Sequence, residues 1–365
     1  MLNPLAKRLA AAAALALLPL AAAAQEKVVH VFNWSDYIDE TILEEFTAET
    51  GIKVVYDVYD SNEILETKLL AGGSGYDVVV PSAEFMGRQI QAGVFQRLDK
   101  AKLPNLSNVW PEIAERVAVY DPSNEYSVNY MWGTTGIGYN VAKIQERMPD
   151  APLDSWAMVF DPNVLSKFAD CGVHILDAGS ELFPAALHYL GLNPDSREPA
   201  DIEKATALLQ GIRPHVQKFH SSEYINALAN GDICLSVGFS GDVLQARDRA
   251  AEAGQGVEVA YSLPREGALM WFDQMAIPAD APHPDEAHQF INYMLKPDVA
   301  AKASNFVYYA NGNKASQPLL NPDVIGDKAI YPDEAAVARL YTKAPYDAKT
   351  QRLITRAWTT VTTGQ

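Results

Sequence analysis

Four carboxylates stand beside aromatic residues where strand-like segments end or are interrupted: Asp36, Glu181, Asp242 and Asp273. Asp273 is the most informative. It interrupts the apolar run from Gly267 to Pro278, and in an extended chain Trp271 and Asp273 point to the same face. A carboxylate buried there needs a partner, because an isolated charge is expensive to bury. A basic residue of the fold is one such partner and a cationic ligand is another. Asp242 closes F239-S240-G241-D242, and Glu181 follows Ser180. Both fall in the first turn expected of a helix, where an acid also suits the helix dipole. Asp36 lies in N33-W34-S35-D36-Y37, where Trp34 and Tyr37 read equally as core residues and Asp36 as a helix cap. Carboxylates and aromatics gathered at one crevice suit an organic cation with an apolar stem, since ammonium groups take salt bridges while methylenes and cationic ends lie on aromatic faces.

Other chemistries find less support. His215/His220 and His283/His288 are spaced five apart, away from the spacing of zinc ligands. The glycines of M131-W132-G133-T134-T135-G136-I137-G138 precede no Gly-Lys-Ser/Thr, and G238-F239-S240-G241 is not a Gly-x-Ser-x-Gly elbow. No motif asks for a cofactor or a metal. Paired carboxylates also serve glycoside hydrolysis, which keeps a secreted enzyme as the alternative class.

The elements that must position these groups alternate. V28-V29-H30-V31-F32 reads as a buried strand, Ile42, Leu43 and Phe46 recur at helical spacing until Gly51, and residues 52–59 form a second strand. A helix over 62–71 and a strand over 76–82 complete a βαβαβ unit, in which ligands bind beyond the carboxyl ends of the strands. Trp34, Asp36 and Ser82 all fall at such ends. The stretch 131–140 reads as a crossing strand. A second unit follows, with strands at 172–177 and 233–239 and helices from Ser180 and Asp201, before the chain returns near 257–261. Removing a leader leaves about 340 residues, too many for one ordinary core and suited to two lobes.

That leader is residues 1–24, with Lys7 and Arg8 before an alanine- and leucine-rich run and small residues ahead of Gln25, the form of a secretory signal. No cysteine follows the cut to take a lipid anchor. The mature chain is expected to be soluble and exported, and losing two cations moves the formal charge from −17 to −19. Such a surface repels nucleic acid and anionic membranes and favours cations. Cys171 and Cys234, an even count in an exported chain, are expected to form a disulfide.

N33-W34-S35-D36-Y37, Y76-D77-V78-V79-V80-P81-S82, S240-G241-D242 and W271-F272-D273 together resemble the periplasmic polyamine-binding proteins of bacterial ABC importers. The resemblance spans essentially the whole mature chain. It implies an α/β, two-lobed type II periplasmic-binding-protein fold with the ligand in the interlobe cleft, here 25–136 plus about 261–305 as lobe 1 and 137–260 plus about 306–365 as lobe 2. It implies a monomeric, non-enzymatic receptor that hands a polyamine to an inner-membrane permease. Trp34, Ser35, Asp36 and Tyr37 become one wall of the site, with Ser82 as a polar contact. Glu181, Phe239 and Asp242 come from the opposite lobe, Trp271 and Asp273 from the returning strand, and Tyr309 from Y308-Y309-A310-N311. Putrescine-type members tend to carry tryptophan where this chain has Phe239 and phenylalanine where it has Trp271. The exchange predicts spermidine over putrescine, by opening space at one end and widening the aromatic face at the other, with a putrescine preference as the alternative should the two exchanges compensate in volume.

Overall fold

The computed structural model describes residues 27–364, so the expected signal segment, residues 1–24, lies outside the described residues. From there the chain follows its periodicity. Val28–Trp34 forms β1, with Val29 and Val31 buried. Asp39 caps the helix Glu40–Thr50 by accepting from the Thr41 amide, and Gly51, at φ 71°, ends it in the left-handed conformation that glycine tolerates best. β2 (Lys53–Tyr59) runs parallel to β1, Ser61 caps the helix Asn62–Leu70, and β3 (Val78–Val79) takes the other side of β1. The third strand is shorter than the run 76–82 predicts. Val78 and Val79 alone stay in the strand, Ser82 keeps an isolated bridge to Asp273, and the buried Asp77 carboxylate receives the backbone amides of His30 and His283.

β4 (Ser127–Asn140) joins two halves of one sheet. It pairs antiparallel with β9 (Met270–Ala276) up to Thr134, and with β7 (Leu235–Phe239) from Thr135. β8 (Val259–Ser262) flanks its second part and β10 (Ala310–Asn311) its first. β5 (Val173–Ile175) lies between β7 and β6 (Lys218–Phe219), giving the order β2-β1-β3-β9-β4-β7-β5-β6. Two parallel trios are thus joined through antiparallel strands. Each half has its own core: Val29, Ile42, Phe46 and Ile291 in one, Trp156, Phe160, Phe183 and Leu235 in the other. Burying each such side chain contributes about 1.5–3 kcal/mol, so either half has the means to hold its own shape.

The link from β8 to β9 makes the second crossing between the lobes. A third passes through Tyr341, whose carbonyl accepts from the Met270 amide (2.8 Å) and whose amide donates to the Ala268 carbonyl (3.0 Å). The helix Ala348–Thr363 then packs on the helices Gly179–Tyr189 and Pro199–Ile212 of the second lobe. We place residues 308–330 with the first lobe, although the expected division put 306–365 in the second. Leu320, Val324 and Ile330 share a core with Ile113, Val117 and Trp132, because Tyr308, at φ 58°, ends the preceding helix and turns the chain back along β4. Cys171 and Cys234 form a disulfide with Cα atoms 5.5 Å apart. By loop-closure entropy a link across 63 residues stabilises the fold by roughly 4 kcal/mol. No helix among the described residues is long and apolar enough to cross a membrane.

Candidate ligand-binding cleft

The carboxyl ends of β1, β2 and β3 open onto the first turns of the helices Gly179–Tyr189 and Ser240–Ala253, and between them lies a cleft of about 580 Å³, its mouth included. Ten of the residues singled out in the sequence line it: Trp34, Ser35, Tyr37, Ser82, Glu181, Phe239, Asp242, Trp271, Asp273 and Tyr309. Asp36 does not.

Asp273, on β9, is buried, and its partners are hydroxyls rather than a basic side chain. Ser82 donates to Oδ1 (2.6 Å) and Tyr37 to Oδ2 (2.8 Å). Ser82 is itself held by Asn62, whose Nδ2 donates to the serine oxygen (2.9 Å) and whose Oδ1 accepts the Ser82 amide (3.0 Å). Asp242 is arranged alike in the other lobe: Tyr309 donates to Oδ1 (2.6 Å) and Tyr224 to Oδ2 (2.7 Å). Burial pushes each carboxyl up to about 7, although the hydroxyl donors pull the other way. Glu181, also pushed up to about 7 by burial, accepts from Thr135 Oγ1 (2.6 Å) and lies 4.0 Å from Lys343 Nζ. Two buried carboxylates served only by neutral hydroxyls hold charge that a proton or an incoming cation would compensate.

The aromatic residues form a chain around these acids. Trp34 meets Phe239 at 6.1 Å between ring centroids, Phe239 meets Trp271 at 5.6 Å, Trp271 meets Tyr309 at 5.4 Å and Tyr309 meets Tyr37 at 5.1 Å. All four contacts are edge to face, which the quadrupoles of the rings favour. Two glycines make room for them. A Cβ on Gly133 would fall 2.7 Å from the Trp271 indole, and one on Gly241 would fall 2.5 Å from the Tyr309 ring. Gly133, in the stretch read in the sequence as a crossing strand, therefore also shapes a wall of the cleft.

Asp36 corrects the expectation that it faces the cleft with Trp34 and Tyr37. Its backbone sits at φ 55°, in the left-handed region that aspartate tolerates better than most residues. The carboxylate turns to the rim of the cleft, where Arg249 Nη2 donates to Oδ1 at 2.6 Å, and Gln245 Nε2 donates to the Asp36 carbonyl at 3.0 Å. Arg249 and Gln245 belong to the second lobe, so this contact bridges the two.

The cleft also contains Asp60, Ser61, Asn62, Glu63, Ala178, Ser180 and Ser221, which the sequence reading passed over. Residues 60–63 follow the carboxyl end of β2 as Ser35 follows that of β1, so the same strand-end rule applied to β2 finds them. Glu63 Oε1 accepts from Ser180 Oγ across the lobes (3.2 Å), while its buried Oε2 has no partner and burial raises its pKa.

Residues 41–332 match the family described as bacterial extracellular solute-binding protein. The chain is 52% identical over 347 residues to the putrescine-binding periplasmic protein SpuD of Pseudomonas aeruginosa (strain UCBPP-PA14), covering 95% of each chain. It is 52% identical over 345 residues to the putrescine-binding periplasmic protein PotF of Escherichia coli (strain K12), covering 94% of this chain and 93% of the other. Among solved structures, a putative spermidine/putrescine ABC transporter from Listeria monocytogenes superposes with a TM-score of 0.83 at 31% identity, covering 93% of this chain and all of that one.

Proposed function

The chain belongs to the bacterial extracellular solute-binding proteins, and from that premise we propose that it captures putrescine in the periplasm and delivers it to the membrane permease of an ABC importer. It is a binding protein and not an enzyme, as its relatives are.

The observation that carries the proposal is the pair of buried carboxylates, Asp242 and Asp273, each served only by hydroxyls inside an aromatic enclosure. A diamine offers an ammonium to each. Such charge-assisted hydrogen bonds are about twice as strong as neutral ones, and the tyrosine and serine hydroxyls keep the carboxylates aimed before the ligand arrives. The methylene stem then lies against Trp34, Phe239 and Trp271, which ask nothing of it but apolar surface. Because the walls come from both lobes, the ligand favours the closed form by bridging them, and the permease reads that form.

Putrescine replaces the spermidine that the aromatic exchange suggested. In support, both relatives at 52% identity are named for putrescine alone, whereas the Listeria monocytogenes structure, named for spermidine and putrescine together, stands at 31%. The contact of Phe239 with Trp271 at 5.6 Å also fits an exchange that conserves volume, the larger ring filling what the smaller one leaves. Calorimetric titration of the mature protein with putrescine, spermidine, arginine, γ-aminobutyrate and a neutral sugar tests the reading. Putrescine should bind most tightly and be recovered unchanged after long incubation. Tighter binding of an amino acid or the sugar, or conversion of the amine, would refute it.

A further inference from the structure

Lys343 is a lysine buried in an otherwise acidic neighbourhood, 3% exposed, in the segment that makes the third crossing between the lobes. Its Nζ donates to the Ser180 carbonyl at 2.6 Å and lies 3.4 Å from Glu84 Oε1 and 4.0 Å from Glu181 Oε1. Tyr120 fixes its backbone by donating to its carbonyl at 2.9 Å. Burial alone pulls the ammonium's pKa down, but Glu84 and Glu181 outweigh it and hold the group charged. Ser180 and Glu181 both line the cleft, so this cation stands directly behind its wall.

The direction in which the cleft can be extended makes that position matter. At the Asp36 end, Arg249 and Gln245 close the rim. Past Glu63 and Ser180 the cleft continues into an adjoining chamber of about 890 Å³, open solvent included, which those two residues also line. A ligand longer than a diamine must run that way, and its third ammonium would arrive beside Ser180. There Lys343 already donates to the Ser180 carbonyl and stands 4.0 Å from one oxygen of Glu181, while Thr135 donates to the other. We propose that Lys343 is a resident ammonium that occupies the third cation position and so restricts the cleft to ligands carrying two positive charges. The proposal rests on the diamine reading and assigns its selectivity to one side chain. It turns on charge rather than length, since the adjoining chamber leaves room.

Calorimetry on wild type and Lys343→Met with putrescine, spermidine and N-propylputrescine tests it. N-propylputrescine matches spermidine in backbone but lacks its third ammonium. Wild type should bind N-propylputrescine better than spermidine by about tenfold or more, as like charges brought together cost several kcal/mol. Lys343→Met should raise spermidine affinity relative to putrescine by a similar factor and leave the N-propylputrescine ratio unmoved. A merely structural lysine would shift all three amines together, and that result overturns the proposal. Should the variant fail to fold, the wild-type ligands decide alone: equal rejection of N-propylputrescine and spermidine overturns it. Wild type that binds none of the amines brings down the diamine reading itself, and this proposal with it.

Discussion

Tyr37 and Tyr309 stand edge to face with 5.1 Å between ring centroids, and each gives its hydroxyl to a different carboxylate, Tyr37 to Asp273 and Tyr309 to Asp242. The two acids proposed to hold the ligand are therefore positioned by one aromatic pair. A shift of either ring moves both ends of the site.

Asp273→Asn should weaken putrescine binding by more than tenfold, since removing one partner of a buried charge pair costs about 2–5 kcal/mol. Calorimetry on the variant, with circular dichroism as a check on folding, measures it. Unchanged affinity in a folded variant would remove Asp273 from the site.

The raised carboxyls make the stability of the ligand-free protein fall as pH rises. Asp242, Asp273 and Glu181 stand at about 7 in the folded, ligand-free protein, against about 4 when unfolded. Between those values the folded state holds protons that the unfolded state has lost, so this contribution to stability is full below the lower value and is lost as pH rises through the upper one. Melting temperatures of the ligand-free protein followed from about pH 4 to about pH 7, the span of that window, should fall as pH rises. A diamine needs the carboxylates ionised, so titration near pH 7 should release protons and give a heat that varies with buffer ionisation enthalpy. A heat independent of buffer would contradict the assignment.

Asp36 and Arg249 meet at a partly exposed rim, where an ion pair is worth about 0.2–1 kcal/mol. Arg249→Ala should lower putrescine affinity by only a few fold, and Asp36→Asn likewise, with the effect of each shrinking at high salt. A loss from Asp36→Asn as large as that from Asp273→Asn would place Asp36 on the ligand after all.

The disulfide lies within the second lobe, away from the cleft. Cys171→Ser/Cys234→Ser should melt earlier, with up to roughly 4 kcal/mol lost by the loop-entropy argument, yet bind putrescine with unchanged affinity. Differential scanning calorimetry and one titration separate the two effects.

Much of this arrangement is readable in the chain because it follows local rules. The βαβαβ opening shows in the spacing of Ile42, Leu43 and Phe46 and in Gly51, and Trp34, Ser82 and Asp242 follow from where strands end. Asp273 stands out because one acid interrupts an apolar strand. The turn at Asp36 does not show: a single left-handed residue reverses where the carboxylate points, and nothing in N33-W34-S35-D36-Y37 marks it. Lys343 is hidden for a different reason. It lies in an irregular segment without periodicity, and its three acidic neighbours, Glu63, Glu84 and Glu181, are distant in sequence. The placement we give residues 308–330 does not show either, because lobe membership of a chain that crosses three times depends on packing rather than on order.

Two buried carboxylates, one from each lobe, make the cleft a receptor for both charged ends of its ligand. Titrating the wild-type protein with putrescine and with n-butylamine, which keeps the four-carbon stem and one ammonium, tests it most directly. The second ammonium should be worth at least the lower figure for a buried charge pair, about 2 kcal/mol, so putrescine should bind more tightly by well over tenfold. Equal affinity for the two amines would show that only one end is held and that the second carboxylate takes no part in recognition.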